Sequence, residues 1–144
     1  MDWQKNILRT DAEITELLQN TKTIAVIGIK MESFQPAYYV PQYMKSAGFE
    51  IIPVPVYYPD ATEIMGEKVY RSLAEIPQEI DLVNVFRRSH DVPKHTADIL
   101  AKKPKAVWMQ SGIYNDEVAQ TLAEAGIKVV QNLCLMVEHR ALVR

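Results

Sequence analysis

The sequence predicts an α/β fold: a Rossmann-like, doubly wound sheet of about five parallel strands, covered by helices on both faces as a three-layer sandwich. Short apolar runs alternate with stretches of helical periodicity along almost the whole chain. Most of the apolar runs are continuous rather than alternating, which is typical of a parallel sheet buried on both faces. In two places, KSAGFEIIPV and AEAGIKVVQN, a glycine ends a helix and a strand follows almost at once.

Five apolar runs account for the sheet. The predicted strands are TIAVIG (23–28), EIIPV (50–54), DLVNVF (81–86), KAVWMQ (105–110) and IKVVQN (127–132). Because no linker or low-complexity tract separates them, and 144 residues is an ordinary length for one domain, we predict a single domain over residues 1–144.

The helix between the first two strands is predicted from its apolar spacing. Apolar residues recur at i, i+3, i+4 and i+7 from Val40, and the pattern stops at Gly48. Pro41 has no N–H to donate and is expected only in the first turn of a helix. We therefore place the start of this helix between about Pro36 and Val40.

The other helices are predicted at residues 11–20, 91–103 and 115–126. Each begins with a residue that can cap a helix N-terminus: Thr10 or Asp11, then Asp91, then Asn115. Residues 55–80 are rich in proline and tyrosine and contain only a short helical piece.

Composition excludes several functional classes. The formal net charge of −2 gives no electrostatic reason to expect nucleic acid or an anionic membrane as a partner. No apolar run approaches the ~20 residues that span a bilayer, and the start lacks the pattern of a signal peptide. Cys134 is the only cysteine, so an internal disulfide is excluded. We predict no metal site and a cytoplasmic location.

Ligands of such sheets bind beyond the carboxyl ends of the strands, where the strand order reverses. The candidate ligand-binding residues are therefore those that end or directly follow a predicted strand. They are Gly28, Ile29 and Lys30; Pro53, Val54, Pro55 and Tyr57; Phe86, Arg87 and Arg88; and Gln110, Ser111 and Gly112.

The residues at these positions argue against two common nucleotide sites. NAD needs G-x-G-x-x-G after the first strand and an acidic residue after the second, whereas this chain has a lone Gly28 and PVPVYY. A Walker A loop is absent, which excludes P-loop chemistry. A phosphate group fits better, because Gly28 permits close backbone approach and Lys30, Arg87 and Arg88 supply positive charge. The alternative is that Gly28 only forms a tight turn and the arginines are solvated.

The order of TIAVIG, GFEIIPVPV, LVNVFRR, VWMQSGI and CLMVEHR resembles the small stand-alone CoA-binding-domain proteins, which are similar to the N-terminal domain of succinyl-CoA synthetase alpha subunits. The resemblance extends from about residue 10 to Leu142. It implies that CoA lies across the carboxyl ends of the strands, with Gly28 and Lys30 near its phosphates and residues 54–57 near its adenosine. Arg87, Arg88 and residues 110–112 would line the remaining wall.

The chain departs from the pattern of that family at several of these positions. The family commonly has Ser where this chain has Lys30, and Arg where it has Gln35 and Tyr39. Asn-Pro after the second strand is replaced by Val54-Pro55. Two basic groups near the implied phosphates are thus missing, and Lys30 replaces only one of them.

CLMVEHR is the stretch that suggests catalysis. If it is helical, Cys134 and Glu138 share a face but His139 lies about 140° round from Cys134, which is poor geometry for a Cys–His nucleophile pair. The remaining catalytic candidate is Cys134 alone, forming a mixed disulfide with the CoA thiol; the alternative is a half-buried structural cysteine. His90 and His95 are expected on the surface.

The sequence thus predicts a small cytosolic protein that binds CoA or an acyl-CoA at the carboxyl ends of its strands without catalysis of its own. One alternative is an acyl-CoA-handling enzyme or enzyme component, dependent on Cys134 or acting as the partner subunit of an acyl-CoA synthetase. Another is a protein that binds a different nucleotide, such as FMN or a dinucleotide. Exposed sheet edges and the tyrosine-rich segment 55–70 also allow a homodimer.

Overall fold

Seven strands and five α-helices follow one another in residues 2–143, the part of the chain that the computed structural model describes. The strands are β1 (Thr23–Ile27), β2 (Glu50–Val54), β3 (Glu63–Ile64), β4 (Glu67–Lys68), β5 (Leu82–Val85), β6 (Ala106–Met109) and β7 (Lys128–Val130). The α-helices are α1 (Asp11–Gln19), α2 (Pro36–Ser46), α3 (Thr96–Lys102), α4 (Asp116–Glu124) and α5 (Leu135–Leu142). Shorter 3-10 helices occupy Trp3–Asn6, Leu73–Glu75 and Ser89–His95.

The main sheet confirms the predicted five parallel strands. Its order is β2–β1–β5–β6–β7, and all neighbouring pairs are parallel. From β1 the chain moves to β2 at one edge, and β5, β6 and β7 then build the sheet outward on the other side of β1. The order therefore reverses between β1 and β5, and in open α/β sheets this is the point beyond which ligands bind.

Two apolar cores confirm the three-layer sandwich. On one face, Ile14 and Val40 from α1 and α2 belong to the same buried cluster as Val26 of β1. On the other face, Leu122 of α4 belongs to the cluster that contains Val83 of β5. Full burial of an aliphatic side chain of this size contributes roughly 1.5–3 kcal/mol. The continuous apolar strands are explained by this burial from both sides.

Segments of the same chain that lie outside the sheet cover part of each of its two edges. The Leu8 N–H donates to the Val129 carbonyl of β7 at 2.8 Å, and Ile7 forms a parallel bridge with Val129. At the other edge the Tyr70 N–H donates to the Pro53 carbonyl of β2 at 3.0 Å. An edge-to-edge homodimer therefore lacks a continuous free edge, since unpaired backbone groups are what such pairing requires.

Residues 55–80 contain a hairpin that the sequence did not predict. β3 and β4 pair antiparallel through Met65 and Gly66, which have φ angles of 58° and 77°. Two-residue turns with both φ angles positive usually carry Asn-Gly or Asp-Gly. A methionine at the first position removes the signal by which such a hairpin is normally found.

The predicted caps are partly confirmed. Thr10 and Glu13 form a reciprocal capping box at α1, and the Asn115 side chain accepts a hydrogen bond from the Val118 N–H at 3.0 Å at α4. The helix predicted over 91–103 is instead a 3-10 helix followed by α3, and Asp91 is not its cap. No helix within residues 2–143 is both long and apolar enough to cross a bilayer.

Candidate functional site

A cavity of about 640 Å³ opens at the switch point, beside the carboxyl ends of β1, β5 and β6. This volume is within the range of small-molecule sites. We call it the main cavity. Its wall includes eight residues that the sequence singled out: Lys30, Phe86, Arg87, Arg88, Gln110, Ser111, Gly112 and Cys134. The first turns of α2, including Gln35 and Tyr39, complete the wall on the other side.

The other predicted residues lie outside this wall. Ile29 is fully buried in the core, and Pro53 is buried in the edge strand β2. Val54 and Pro55 line a second, smaller cavity of about 250 Å³. The half-exposed Tyr57 lies beside Lys30, whose ammonium nitrogen is 4.4 Å from the centre of the tyrosine ring. Contact between these residues and a ligand stays a prediction.

Gly28 is required by a close approach within the protein itself. Its φ angle is +83°, and a Cβ at this position would lie 2.3 Å from the Phe86 carbonyl oxygen and 3.4 Å from Cδ of Arg87. The Gly28 N–H donates to the Val54 carbonyl at 2.9 Å. The lone glycine therefore lies where the ends of three strands meet, and it leaves room for the Phe86 carbonyl, directly before Arg87 in the wall of the main cavity.

Pro41 fixes the loop that carries Lys30. It lies in the second turn of α2, not in the first turn as predicted, and the helix begins at Pro36. Because Pro41 has no N–H, the carbonyl of Ala37 has no helical donor, and it accepts the Lys30 N–H instead at 3.1 Å. Pro41 thus removes one hydrogen bond from α2, and the freed carbonyl of Ala37 connects the loop after β1 to the start of α2.

The N-terminus of α2 offers a free donor to the main cavity. The N–H groups of Tyr38 and Tyr39 both donate to the Gln35 carbonyl, at 2.9 and 3.0 Å. Pro36 has no N–H, and within residues 2–143 the Ala37 N–H has no acceptor. Ala37 lines the cavity, and helix N-termini favour anions through such free donors and the helix dipole.

The loop after β1 is held in place from outside the cavity. The Met31 N–H donates to the Tyr58 hydroxyl at 3.1 Å, and this hydroxyl donates to the Glu32 carboxylate at 2.8 Å. Burial raises the pKa of Tyr58, so the phenol stays protonated and able to donate. Arg71 donates to the carbonyls of Tyr57, Tyr58 and Ala61. The two loops therefore support each other.

Positive charge is in local excess beside the cavity. Asp91 is buried, and its carboxylate lies 3.1 Å from Nε of Arg88, 3.0 Å from Nζ of Lys94 and 3.8 Å from Nη2 of Arg87. The hydrogen bond from Lys94 is the largest of the effects that lower the pKa of Asp91, to about 2. One carboxylate faces three permanent cations, so an anion near this segment is attracted although the whole chain is negative.

Arg87 and Arg88 differ in exposure. The Arg88 side chain is 76% exposed, whereas that of Arg87 is 12% exposed and its Nε donates to Nε2 of His95 at 3.2 Å. His95 is therefore half-buried, and its predicted position on the surface is wrong because it packs against the arginine that precedes its own 3-10 helix. Burial, followed by the charge of Arg87, lowers the pKa of His95. His90 is exposed, as predicted.

The wall opposite α2 is built from polar contacts of Gln110. Its side-chain oxygen accepts hydrogen bonds from the Leu135 N–H at 3.0 Å and from the Asn84 amide at 3.2 Å. Cys134 is the N-cap of α5 rather than a residue inside that helix, and it is half-buried in the cavity wall. Gln110 thus orients the helix start that carries the cysteine.

His139 belongs to an aromatic cluster on the other side of α5. Its Nδ1 lies 2.9 Å from the Tyr43 hydroxyl, and its ring makes edge contacts with the rings of Tyr43 and Phe49, with centroids 5.5 and 5.4 Å apart. Burial lowers the pKa of His139. The geometry agrees with the prediction that Cys134 and His139 do not form a nucleophile pair.

The sequence matches a family model and a relative among known proteins. The family model described as CoA binding domain matches residues 22–140, the range that contains the main cavity. The uncharacterized protein YneT of Bacillus subtilis is 41% identical over 128 residues, which are 89% of this chain and 93% of YneT.

Solved structures agree with this match. Cell-free ID.343 from Thermus thermophilus is 39% identical with a TM-score of 0.86, covering 93% of this chain and 99% of its own. A hypothetical protein from Pyrococcus horikoshii OT3 is 32% identical with a TM-score of 0.87 over 94% of both chains. The dinucleotide-forming acetyl-coenzyme A synthetase 1 of Ca. Korarchaeum cryptofilum has a TM-score of 0.69 at 21% identity, over 79% of this chain and 26% of its own. This last likeness concerns the fold alone.

Proposed function

The chain belongs to the CoA binding domain family, and from this premise we propose that it binds CoA or an acyl-CoA in the main cavity without catalysing a reaction of its own. The observation that carries the proposal is the meeting of an uncapped helix N-terminus and an excess of positive charge in one cavity at the switch point. CoA joins a charged phosphate-bearing end to a long neutral arm.

The main cavity carries both hydrogen-bond donors and apolar groups, which suit the two parts of CoA. The Ala37 N–H, Arg87 and Arg88 are donors for phosphate oxygens, and a hydrogen bond to a charged group contributes roughly 1.5–3 kcal/mol. Two or three such bonds separate a micromolar from a millimolar ligand. Apolar groups of Phe86 and Ile113 line the same wall and suit the neutral arm.

Calorimetric titration with CoA tests the proposal, with NAD, ATP and FMN as comparison ligands. FMN is needed because flavodoxins, which bind it, share the strand order of this sheet. We expect micromolar binding of CoA alone. Arg88→Ala should weaken binding by about tenfold, a loss of about 1.4 kcal/mol. Lys30→Ala should weaken it less, because the Lys30 ammonium lies over the Tyr57 ring. Lys128→Ala, which removes one charge at the amino end of β7, is the matched control and should leave the affinity unchanged.

Two results would contradict the proposal. The first is the absence of heat with CoA. The second is an equal loss of affinity in Lys128→Ala and Arg88→Ala, which would mean that net charge rather than the cavity attracts the ligand.

The position of Cys134 in the cavity wall favours a second candidate function, a Cys134-dependent reaction with acyl-CoA. In that reaction the acyl group would pass from the CoA sulfur to Sγ of Cys134, and the proton of the cysteine thiol would pass to the CoA sulfur, which leaves as the free CoA thiol. Mass spectrometry after incubation with acetyl-CoA tests it. An acetyl group on Cys134, missing in Cys134→Ser, would support an enzyme, and an unmodified cysteine would leave the binding function.

A further inference from the structure

The contact between Arg87 and His95 requires a neutral imidazole. Nε of Arg87 donates to Nε2 of His95 at 3.2 Å, and Nε2 can accept this bond only while it carries no proton. Arg87 lines the main cavity, and His95 lines the second cavity together with Arg71 and Asp98. The pair therefore connects the proposed anion site with a space of about 250 Å³ behind it.

Charged groups face His95 from several of the segments packed around it, whereas β1 and β2 contribute only the apolar Ile27 and Val54. Arg87 approaches from the segment after β5, Asp91 and Lys94 belong to the histidine's own 3-10 helix, and Asp98 lies in α3. Arg71 faces the same second cavity from the segment after β4. The Asp98 carboxylate accepts bonds from the N–H groups of Leu73 and Ala74, at 2.7 and 3.2 Å. Burial and then the charge of Arg87 lower the pKa of His95, which favours the neutral imidazole in the free protein.

We propose that His95 is a positioning residue for Arg87, and that binding of a phosphate-bearing ligand to Arg87 is coupled to the uptake of one proton by His95. This inference rests on the proposed function. When a phosphate oxygen accepts the hydrogen bond of the Arg87 Nε–H, Nε2 of His95 loses its donor. The phosphate also offsets the arginine charge. One proton from the solvent then binds Nε2, and the second cavity gives the imidazolium room to turn.

The sign of the coupling follows from these steps. The bound state holds one proton more than the free state, so the affinity rises as the pH falls through the titration range of His95. Within that range the dissociation constant of a ligand coupled to one proton decreases by up to about tenfold for each unit by which the pH is lowered. Outside that range this contribution to the affinity does not depend on pH.

Calorimetry of the full chain with CoA, in buffers of different ionisation enthalpy at pH 6.5 and 7.5, measures the protons taken up. The 3′-phosphate of CoA titrates near pH 6 itself, so the informative quantity is a difference between variants. His95→Gln keeps an acceptor for Arg87 but cannot titrate. His90→Gln removes an exposed histidine that has no contact with Arg87 but lies 3.8 Å from the Asp91 carboxylate, so it controls for the loss of a titratable group near the same charges.

We expect the wild type and His90→Gln to take up more protons on binding than His95→Gln, and to gain more affinity at pH 6.5. Equal proton uptake in wild type and His95→Gln, with CoA bound in both, would overturn the inference and leave the proposed function intact. Absence of CoA binding in the wild type would refute the proposed function and the inference with it.

Imidazole NMR of the wild type gives a second measurement should His95→Gln fail to fold. The chain has three histidines, so their titrations can be separated. Addition of CoA should move the titration of His95 to higher pH and leave His139, in its aromatic cluster, unchanged. A titration of His95 that does not move would equally overturn the inference.

Discussion

Replacement of Gly28 by alanine should destabilise the fold through one identifiable contact. At a φ angle of +83°, an alanine is strained by roughly 1–2 kcal/mol. Its Cβ would also lie 2.3 Å from the Phe86 carbonyl oxygen, a distance that real Cβ atoms essentially never show, so β1 and β5 must separate at their carboxyl ends. Overpacking against buried structure costs about 1–3 kcal/mol more. The free energy of unfolding of Gly28→Ala is therefore expected to be about 2–5 kcal/mol lower than that of the wild type.

Gly126 provides a control that isolates this contact. Its φ angle of +86° is almost the same, but a Cβ there would meet no atom within 4 Å. Gly126→Ala should therefore lose only the backbone strain of about 1–2 kcal/mol. Urea unfolding followed by circular dichroism measures both variants. The free energy of unfolding of a small protein typically decreases by about 1–3 kcal/mol per molar urea. If Gly28→Ala loses about 1 kcal/mol more than Gly126→Ala, its unfolding midpoint should therefore be lower by roughly 0.3–1 M urea.

Two outcomes would bear on the reasoning. Equal midpoints for Gly28→Ala and Gly126→Ala would refute the view that the Phe86 carbonyl makes this glycine necessary. If Gly28→Ala is the less stable, it should also bind CoA more weakly, because displacement of the Phe86 carbonyl would move the next residue, Arg87, in the wall of the main cavity.

Three further predictions follow from the site and its surroundings. CoA at ten times its dissociation constant should slow alkylation of Cys134 by iodoacetamide about tenfold, because only the free protein reacts; an unchanged rate would place CoA elsewhere. Asp91→Asn should lower the urea midpoint at pH 7. Because the pKa of Asp91 is lowered to about 2, this difference should persist above about pH 5 and shrink as the pH falls from 4 towards 2; a constant difference would contradict the ion pairs. The pKa of His139 is lower in the folded than in the unfolded chain, so as the pH falls below 6.5 the unfolded chain binds a proton at this histidine more readily than the folded chain. Acidification therefore destabilises the wild type, and His139→Asn should lose less stability between pH 7.5 and 5.5.

The sheet could be predicted because its signal is local. A strand buried on both faces must be apolar throughout, and the five apolar runs of the chain coincide with β1, β2, β5, β6 and β7. Since the carboxyl ends of parallel strands share one edge, the residues after β5 and β6 could be expected to lie close together, and in the structure they line the main cavity.

The polar contacts of the site could not be predicted, because they join side chains through tertiary packing. Asp91 has the residue type and position of an N-cap, yet its carboxylate binds side chains of the same segment. His95 ends the 3-10 helix Ser89–His95 and is predicted on the surface, but its contact with the Arg87 side chain leaves it half-buried. Pro41 is expected in the first turn because a proline further along a helix leaves one carbonyl without its N–H donor. That expectation does not include the Lys30 N–H, which comes from a loop and donates to the Ala37 carbonyl instead.

The uncharged side chains on the α2 side of the main cavity explain why we assign the charged contacts of the proposed ligand to the segment after β5. Gln35, Tyr39 and Lys30 all line the main cavity, but two of them are uncharged and the ammonium of Lys30 lies over the ring of Tyr57. On the α2 side, the free Ala37 N–H is the donor that needs no rearrangement. A phosphate group must therefore take most of its charged contacts from Arg87 and Arg88, in competition with the Asp91 carboxylate. Because Arg87 also contacts His95, the proposed protonation of His95 acts on one of the two arginines that would hold the phosphate group.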